Sequence, residues 1–73
     1  MKYILENPTF QENEIEIDNK EAIKLIESYI NRPNGLMLGD LIILSLEKVI
    51  IKLIITSKSE EEYRFKQVPN KYY

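Results

Sequence analysis

The segment from Leu36 to Ile55, LMLGDLIILSLEKVIIKLII, most constrains the fold of this chain, because fourteen of its twenty residues are aliphatic or methionine. A segment this apolar has to be buried by the rest of the molecule. It also carries four charged residues, which are Asp40, Glu47, Lys48 and Lys52. Each such charge costs roughly 2.5–3.5 kcal/mol near the centre of a bilayer, so we expect a soluble protein that does not associate with a membrane.

The length of 73 residues predicts one domain, 1–73, with a core too small to be very stable. Small domains gain stability from disulfides, a metal or self-association, and this sequence contains neither cysteine nor histidine. Self-association or an unusually apolar core remains as the source of stability. The lack of cysteine also fits a reducing compartment, and the first ten residues lack the apolar run of a signal peptide. We accordingly expect a cytoplasmic protein.

The segment itself admits two secondary structures. As one helix, it would carry a polar stripe interrupted by Glu47, and that stripe would consist of Ser45, Lys48, Lys52 and Thr56. As strands, it would divide at Glu47-Lys48 into 41–46 and 49–56. Half of the residues in 41–56 are β-branched, and β-branched side chains favour a pleated sheet. We therefore predict two strands joined by a tight turn.

Alternating sequences on both sides of this segment predict further strands. Residues 13–17 and 62–68 alternate between apolar and charged side chains, which is the period of a strand with one face in water. Residues 2–6 are a shorter candidate that would add a further edge to the sheet. Across a polar linker, 49–57 should pair with 62–68 as an antiparallel hairpin.

One helix is predicted over residues 19–31. Apolar side chains recur there at helical spacing along one face. They are those of Ala22, Ile23, Leu25, Ile26, Tyr29 and Ile30. Asp18 lies three residues before Glu21, which predicts Asp18 as the N-cap of a capping box. Pro33 then prevents the helix from continuing.

These elements together predict an α+β fold in which a small antiparallel sheet packs on one helix. The predicted order is β-α-β-β-β, and the last three strands form a C-terminal meander. Residues 69–73 would be a short C-terminal tail. The predicted strands are 13–17, 40–46, 49–57 and 62–68.

Both faces of the predicted central hairpin are apolar, and this is the main functional clue in the sequence. One face would gather Ile42, Leu44, Leu46, Val49, Ile51, Leu53 and Ile55, and the other would carry Leu41, Ile43, Ile50, Lys52 and Ile54. A single helix of about 13 residues covers only one side of such a sheet. Because a large exposed apolar patch marks a protein interface, we predict a protein partner or a second copy of the chain. The expected role is that of an inhibitor, adaptor or regulatory subunit.

The composition also excludes several chemistries. Without histidine and cysteine, the chain cannot build a Ser-His-Asp triad, a thiolate nucleophile or a zinc site based on those ligands. Glu14 and Glu16 lie on one strand face, where a solvated surface is the simpler interpretation. We therefore expect no enzymatic activity, no catalytic residue, no cofactor and no metal.

A nucleic-acid-binding regulator is the alternative. In that interpretation Arg64, Lys66 and Lys71 contact phosphates, and Tyr63 and Phe65 stack on bases. Tyr72 or Tyr73 would add a contact from the C-terminal tail. The sequence pI of about 5.1 disfavours it. Strand alternation also turns the aromatic side chains of 62–68 away from the basic ones, so nucleic acid is the less favoured partner.

Overall fold

A computed structural model describes residues 1–6 and 14–68 of the chain and contains one helix and a five-stranded sheet. The elements are β1 (Lys2–Glu6), β2 (Ile15–Glu16), α1 (Lys20–Ile30), β3 (Leu41–Ser45), β4 (Ile50–Lys58) and β5 (Glu62–Val68). The predicted α+β class, the single helix and the antiparallel meander of β3, β4 and β5 are confirmed. The predicted tail at 69–73 lies outside the described residues.

The sheet order, β2-β1-β5-β4-β3, differs from the prediction in two respects. First, the sheet is mixed and not purely antiparallel, because β1 runs parallel to β5, with Leu5 beside Phe65. Second, β1 is not an additional edge, since it lies between β2 and β5. The physical reason is that the apolar side chains of β1, Tyr3 and Leu5, continue the apolar row formed by Tyr63 and Phe65.

The segment Leu36–Ile55 forms two strands, so the single-helix alternative is wrong. The Leu46 N–H donates to the Val49 carbonyl at 2.8 Å, which leaves Glu47 and Lys48 at the centre of the predicted tight turn. Val49 was expected on the buried face of the hairpin. It is instead 50% exposed, because it belongs to the turn and not to β4.

The hydrophobic core lies between α1 and one side of the sheet, which we call the covered face. Strand register places Ile42 opposite Leu53 and Ile55 opposite Phe65, and all four side chains are buried. The buried core consists of Tyr3, Ala22, Ile26, Leu36, Ile42, Leu44, Leu53, Ile55 and Phe65. The period of two predicted for the central hairpin is therefore confirmed on this side.

The N-cap of α1 is Asn19, so the predicted capping box of Asp18 and Glu21 is wrong. The Asn19 side-chain oxygen accepts a hydrogen bond from the Ala22 N–H at 2.9 Å. Asparagine and aspartate are similarly good N-caps, and the sequence offers both in adjacent positions. The apolar periodicity predicted the helix correctly but not the residue at which it starts.

Candidate interaction surface

The side of the sheet turned away from α1 is the open face, and its β3–β4 part is apolar. Register places Leu41 opposite Ile54 and Ile43 opposite Lys52, and these residues alternate with the buried ones of the covered face. We call this part the apolar half; it consists of Leu41, Ile43, Ile50, Lys52 and Ile54. The structure thus brings together all five residues that the sequence predicted for an interface.

Three aliphatic side chains of the apolar half are substantially exposed. The exposed fractions are 50% for Leu41, 41% for Ile43 and 53% for Ile50. Within residues 1–6 and 14–68, α1 is the helix that packs on the sheet, and it packs on the covered face. The described part of the chain therefore leaves this apolar surface in contact with water.

Lys52 lies in the middle of the apolar half. Its register neighbours are Ile43 on β3 and Val68 on β5, and the residue is half-buried. A lysine in such a position lays its aliphatic stem on the apolar neighbours and extends its ammonium group outward. In the described part of the chain, that ammonium group forms no ion pair with a carboxylate.

The other part of the open face, formed by β1, β5 and the residue preceding β2, is the charged half. We use the name for Glu6, Glu14, Glu62, Arg64 and Lys66, which lie on this face together with Lys2, Glu16 and the buried Ile4. Arg64 donates from Nε to Glu6 at 3.1 Å and from Nη1 to Glu62 at 2.8 Å, and its Nη2 pairs with Glu14. The charged half therefore holds three carboxylates around one guanidinium group.

A β-bulge in β4 completes this cluster. The register between β4 and β5 shifts between Ile55 and Ser57, and the extra residue is Thr56. The Thr56 hydroxyl lies 3.0 Å from a Glu6 carboxylate oxygen and 3.3 Å from the Arg64 carbonyl. Bulges redirect side chains in this way, and the result connects β4 to the charged groups of β1 and β5.

The residues predicted to contact nucleic acid are not gathered with aromatic side chains in the described structure. Arg64 and Lys66 lie on the open face, whereas Phe65 is buried and Tyr63 packs against the core on the covered face. The ring centroids of Tyr63 and Tyr3 are 6.0 Å apart. Lys71 and Tyr72 lie outside the described residues, so their part in the nucleic-acid hypothesis stays a prediction.

Sequence reasoning missed the loop that leads into β3. Met37 and Leu38 are 59% and 60% exposed, although their neighbour Leu36 is buried. The Asp40 carboxylate accepts a hydrogen bond from the Met37 N–H at 2.9 Å, and Gly39 has the positive φ of +88° that this tight turn requires. The Gly-Asp pair was the available signal, because it marks a turn.

Neither a metal cluster nor a membrane span is found in the described part of the chain. Residues 1–6 and 14–68 contain no group of three or more His, Cys, Asp or Glu side chains that could hold a metal ion. No helix in the same ranges has the length and hydrophobicity needed to cross a bilayer.

Burial raises the pKa of the Tyr3 phenol, and the negative charges of Glu27 and of ionised Tyr63 add to this effect. Tyr3 belongs to the core of the covered face. Its shifted pKa is therefore a property of the fold and not of the open face.

Comparison with known proteins gave no match to a protein-family model, to a curated protein or to a solved structure.

Proposed function

We propose that this protein is a non-enzymatic interaction module that self-associates through the apolar half of its open face. The observation that carries the proposal is the exposure of Leu41, Ile43 and Ile50 on the side of the sheet that α1 does not cover. Water contact with such a contiguous aliphatic surface is unfavourable, and burying it against another surface releases that cost.

Charge supports a second copy of the chain as the occupant. Lys52 extends an ammonium group from the centre of the apolar half, while Arg64 in the charged half is shared by three carboxylates. A second copy offers both an apolar half and surplus carboxylates. In a two-fold arrangement each of these contacts forms twice. The same surface would then bury the apolar half and pair the Lys52 ammonium group in both chains.

The size of the surface predicts a weak, reversible association. Two strands of about five residues present a projected area of about 10 Å by 17 Å. A standard protein interface buries about 800 Å² on each partner. We therefore expect a monomer–dimer equilibrium that depends on concentration. Such an equilibrium suits a regulatory subunit, adaptor or inhibitor that uses the same surface to bind different partners in turn.

A non-enzymatic role is supported by the composition and by the state of the carboxylates. The sequence lacks the histidine and cysteine that most acid-base and nucleophilic catalysis requires. Three glutamates of the open face already form ion pairs with Arg64. Location in the cytoplasm stays a prediction from the cysteine-free sequence.

Sedimentation velocity over a micromolar to millimolar concentration series tests the proposal. We expect the wild-type sedimentation coefficient to rise with concentration, and the substitution Ile50→Lys to keep the protein monomeric throughout, because it places a charge in the apolar half. Ile15→Lys is the matched control. Ile15 is 48% exposed, close to the 53% of Ile50, but pairs with Leu5 on the other side of the sheet.

A wild-type protein that stays monomeric at the highest concentration contradicts the proposal. Equal loss of association in Ile50→Lys and Ile15→Lys also contradicts it, because the effect would then not depend on the open face. The nucleic-acid alternative is measured in the same series with a fluorescent single-stranded oligonucleotide. Affinity that falls steeply with salt would favour that alternative.

A further inference from the structure

The hydroxyl group of Tyr29 forms two hydrogen bonds with the backbone of one residue in β3. It accepts from the Ile43 N–H at 3.1 Å and donates to the Ile43 carbonyl at 3.2 Å. Tyr29 belongs to the last turn of α1. One side chain thus supplies the two contacts that a residue of a neighbouring antiparallel strand would make.

These two bonds are made at the outer side of β3. β3 is the last strand in the order of the described sheet. The Leu46 N–H bonds to Val49 on the side of β4, and backbone groups alternate along a strand. The N–H and carbonyl groups of Leu41, Ile43 and Ser45 therefore all point away from β4, with Ile43 in the middle.

The sequence of β3 gives this edge little other protection. Leu41–Ser45, LIILS, contains no charged residue and no proline, and these are the residues with which proteins usually block strand edges. Short, uncharged segments of high β-propensity are the ones that pair with identical segments. Within the described residues, the outward backbone groups of Leu41 and Ser45 form no hydrogen bond.

The Tyr29 ring is held in place from the helix side. The Arg32 guanidinium carbon lies 4.7 Å from the centroid of the ring, which is a cation–π contact. A groove of about 310 Å³ runs between α1 and β3, and Tyr29 lies in its wall. Swinging the ring out of this position would expose the full length of the β3 edge.

We propose that Tyr29 closes the β3 edge against strand addition by the β3 strand of a second copy. The two strands would run antiparallel about a two-fold axis, with Ile43 opposite Ile43 of the second copy and Leu41 opposite its Ser45. Such a pair exchanges both hydrogen bonds at its centre, which are the two that Tyr29 occupies. No like charges meet in this arrangement, because β3 carries none.

This inference does not rest on the proposed use of the open face. Association through the open face buries side chains of the apolar half, whereas strand addition uses backbone groups at the edge. Tyr29 would leave association through the open face available and suppress strand addition at the β3 edge. The two modes are therefore separable by substitutions that affect only one of them.

The test compares Tyr29→Phe with Tyr63→Phe by sedimentation velocity and by amide hydrogen exchange. Both substitutions remove one hydroxyl, but Tyr63 lies on β5, away from the β3 edge. For Tyr29→Phe we expect faster exchange of the Ile43 amide at low concentration. We also expect the dimer association constant to rise by about tenfold, since the N–H and carbonyl groups of Ile43 are then free to form both hydrogen bonds of the new pair.

Two further variants identify the interface. Adding Ser45→Pro to Tyr29→Phe should return the association constant to the wild-type value, because proline removes an outward donor from the edge. Adding Ile50→Lys should leave the new dimer in place. Unchanged association of Tyr29→Phe despite faster Ile43 exchange would overturn the proposal. So would a dimer that Ile50→Lys abolishes and Ser45→Pro does not affect.

Discussion

The apolar half and the charged half occupy the same face of one sheet, but within residues 1–6 and 14–68 they differ in how their side chains are accommodated. Arg64 pairs with three glutamates, whereas Leu41, Ile43 and Ile50 stay about half exposed. Polar groups can saturate one another locally through directed hydrogen bonds. Aliphatic groups need a second surface. One face of a sheet can therefore be stable in one region and still require a partner in the next.

Among the substitutions in the two halves, Arg64→Met is expected to have the largest effect on the free energy of unfolding. The substitution leaves three glutamates close together without their cation, so we expect the free energy of unfolding to fall by about 1–2 kcal/mol, reduced by partial solvent screening. Urea unfolding measures it. Lys66→Met is the control, because Lys66 is exposed on the same strand and face. Equal losses in both variants would mean that the charged half has no special internal pairing.

A smaller effect is expected from Lys52→Met in the apolar half. Methionine keeps an apolar stem of similar length but removes the ammonium group that meets carboxylates of the second copy in the proposed dimer. We expect unfolding free energy to change by less than about 0.5 kcal/mol, and the association constant to fall severalfold. Sedimentation equilibrium measures the association. A rise would contradict the proposed pairing and show that the desolvation of the Lys52 ammonium group outweighs it.

The smallest effect is expected at high pH and arises beneath the charged half, at Tyr3. Its pKa is raised in the folded protein by burial, Glu27 and Tyr63, so the folded state holds the phenol proton more tightly than the unfolded state. The contribution of Tyr3 to the free energy of unfolding is therefore fully present below the unfolded pKa of about 10. It is lost as the pH rises through the higher pKa of the folded state. In thermal unfolding curves, Tyr3→Phe should lose less stability than the wild type as the pH rises above about 10. An identical fall in both proteins would assign it to other groups.

The two halves also differ in how far the sequence predicted them. Period two along 41–56 predicted the two faces of the β3–β4 hairpin, apart from Val49, and all five residues of the apolar half, because alternation is a local property of the strand. The Arg64 cluster had no such signal. Glu6 and Arg64 are 58 residues apart in the chain and meet only because β1 pairs with β5, a long-range pairing that local patterns do not encode.

Tyr29 and Ile43 illustrate the same limit at shorter range. Tyr29 was predicted on the apolar face of α1, and Ile43 on the open face of the sheet, and both placements hold. Their hydrogen bonds span 14 residues and two element types. They depend on where the helix crosses the sheet, which follows from packing and not from periodicity.

The parallel pairing of β1 with β5 also bears on the order in which the molecule folds. Lys2 pairs with Glu62, and 62 − 2 gives a separation of 60 residues. The hairpins between β3, β4 and β5 close short loops, so they can form early at small entropic cost. β1 has to wait for β5 to be synthesised before it finds its parallel neighbour. Until then the sheet is incomplete, and this long-range closure is expected to set the folding rate.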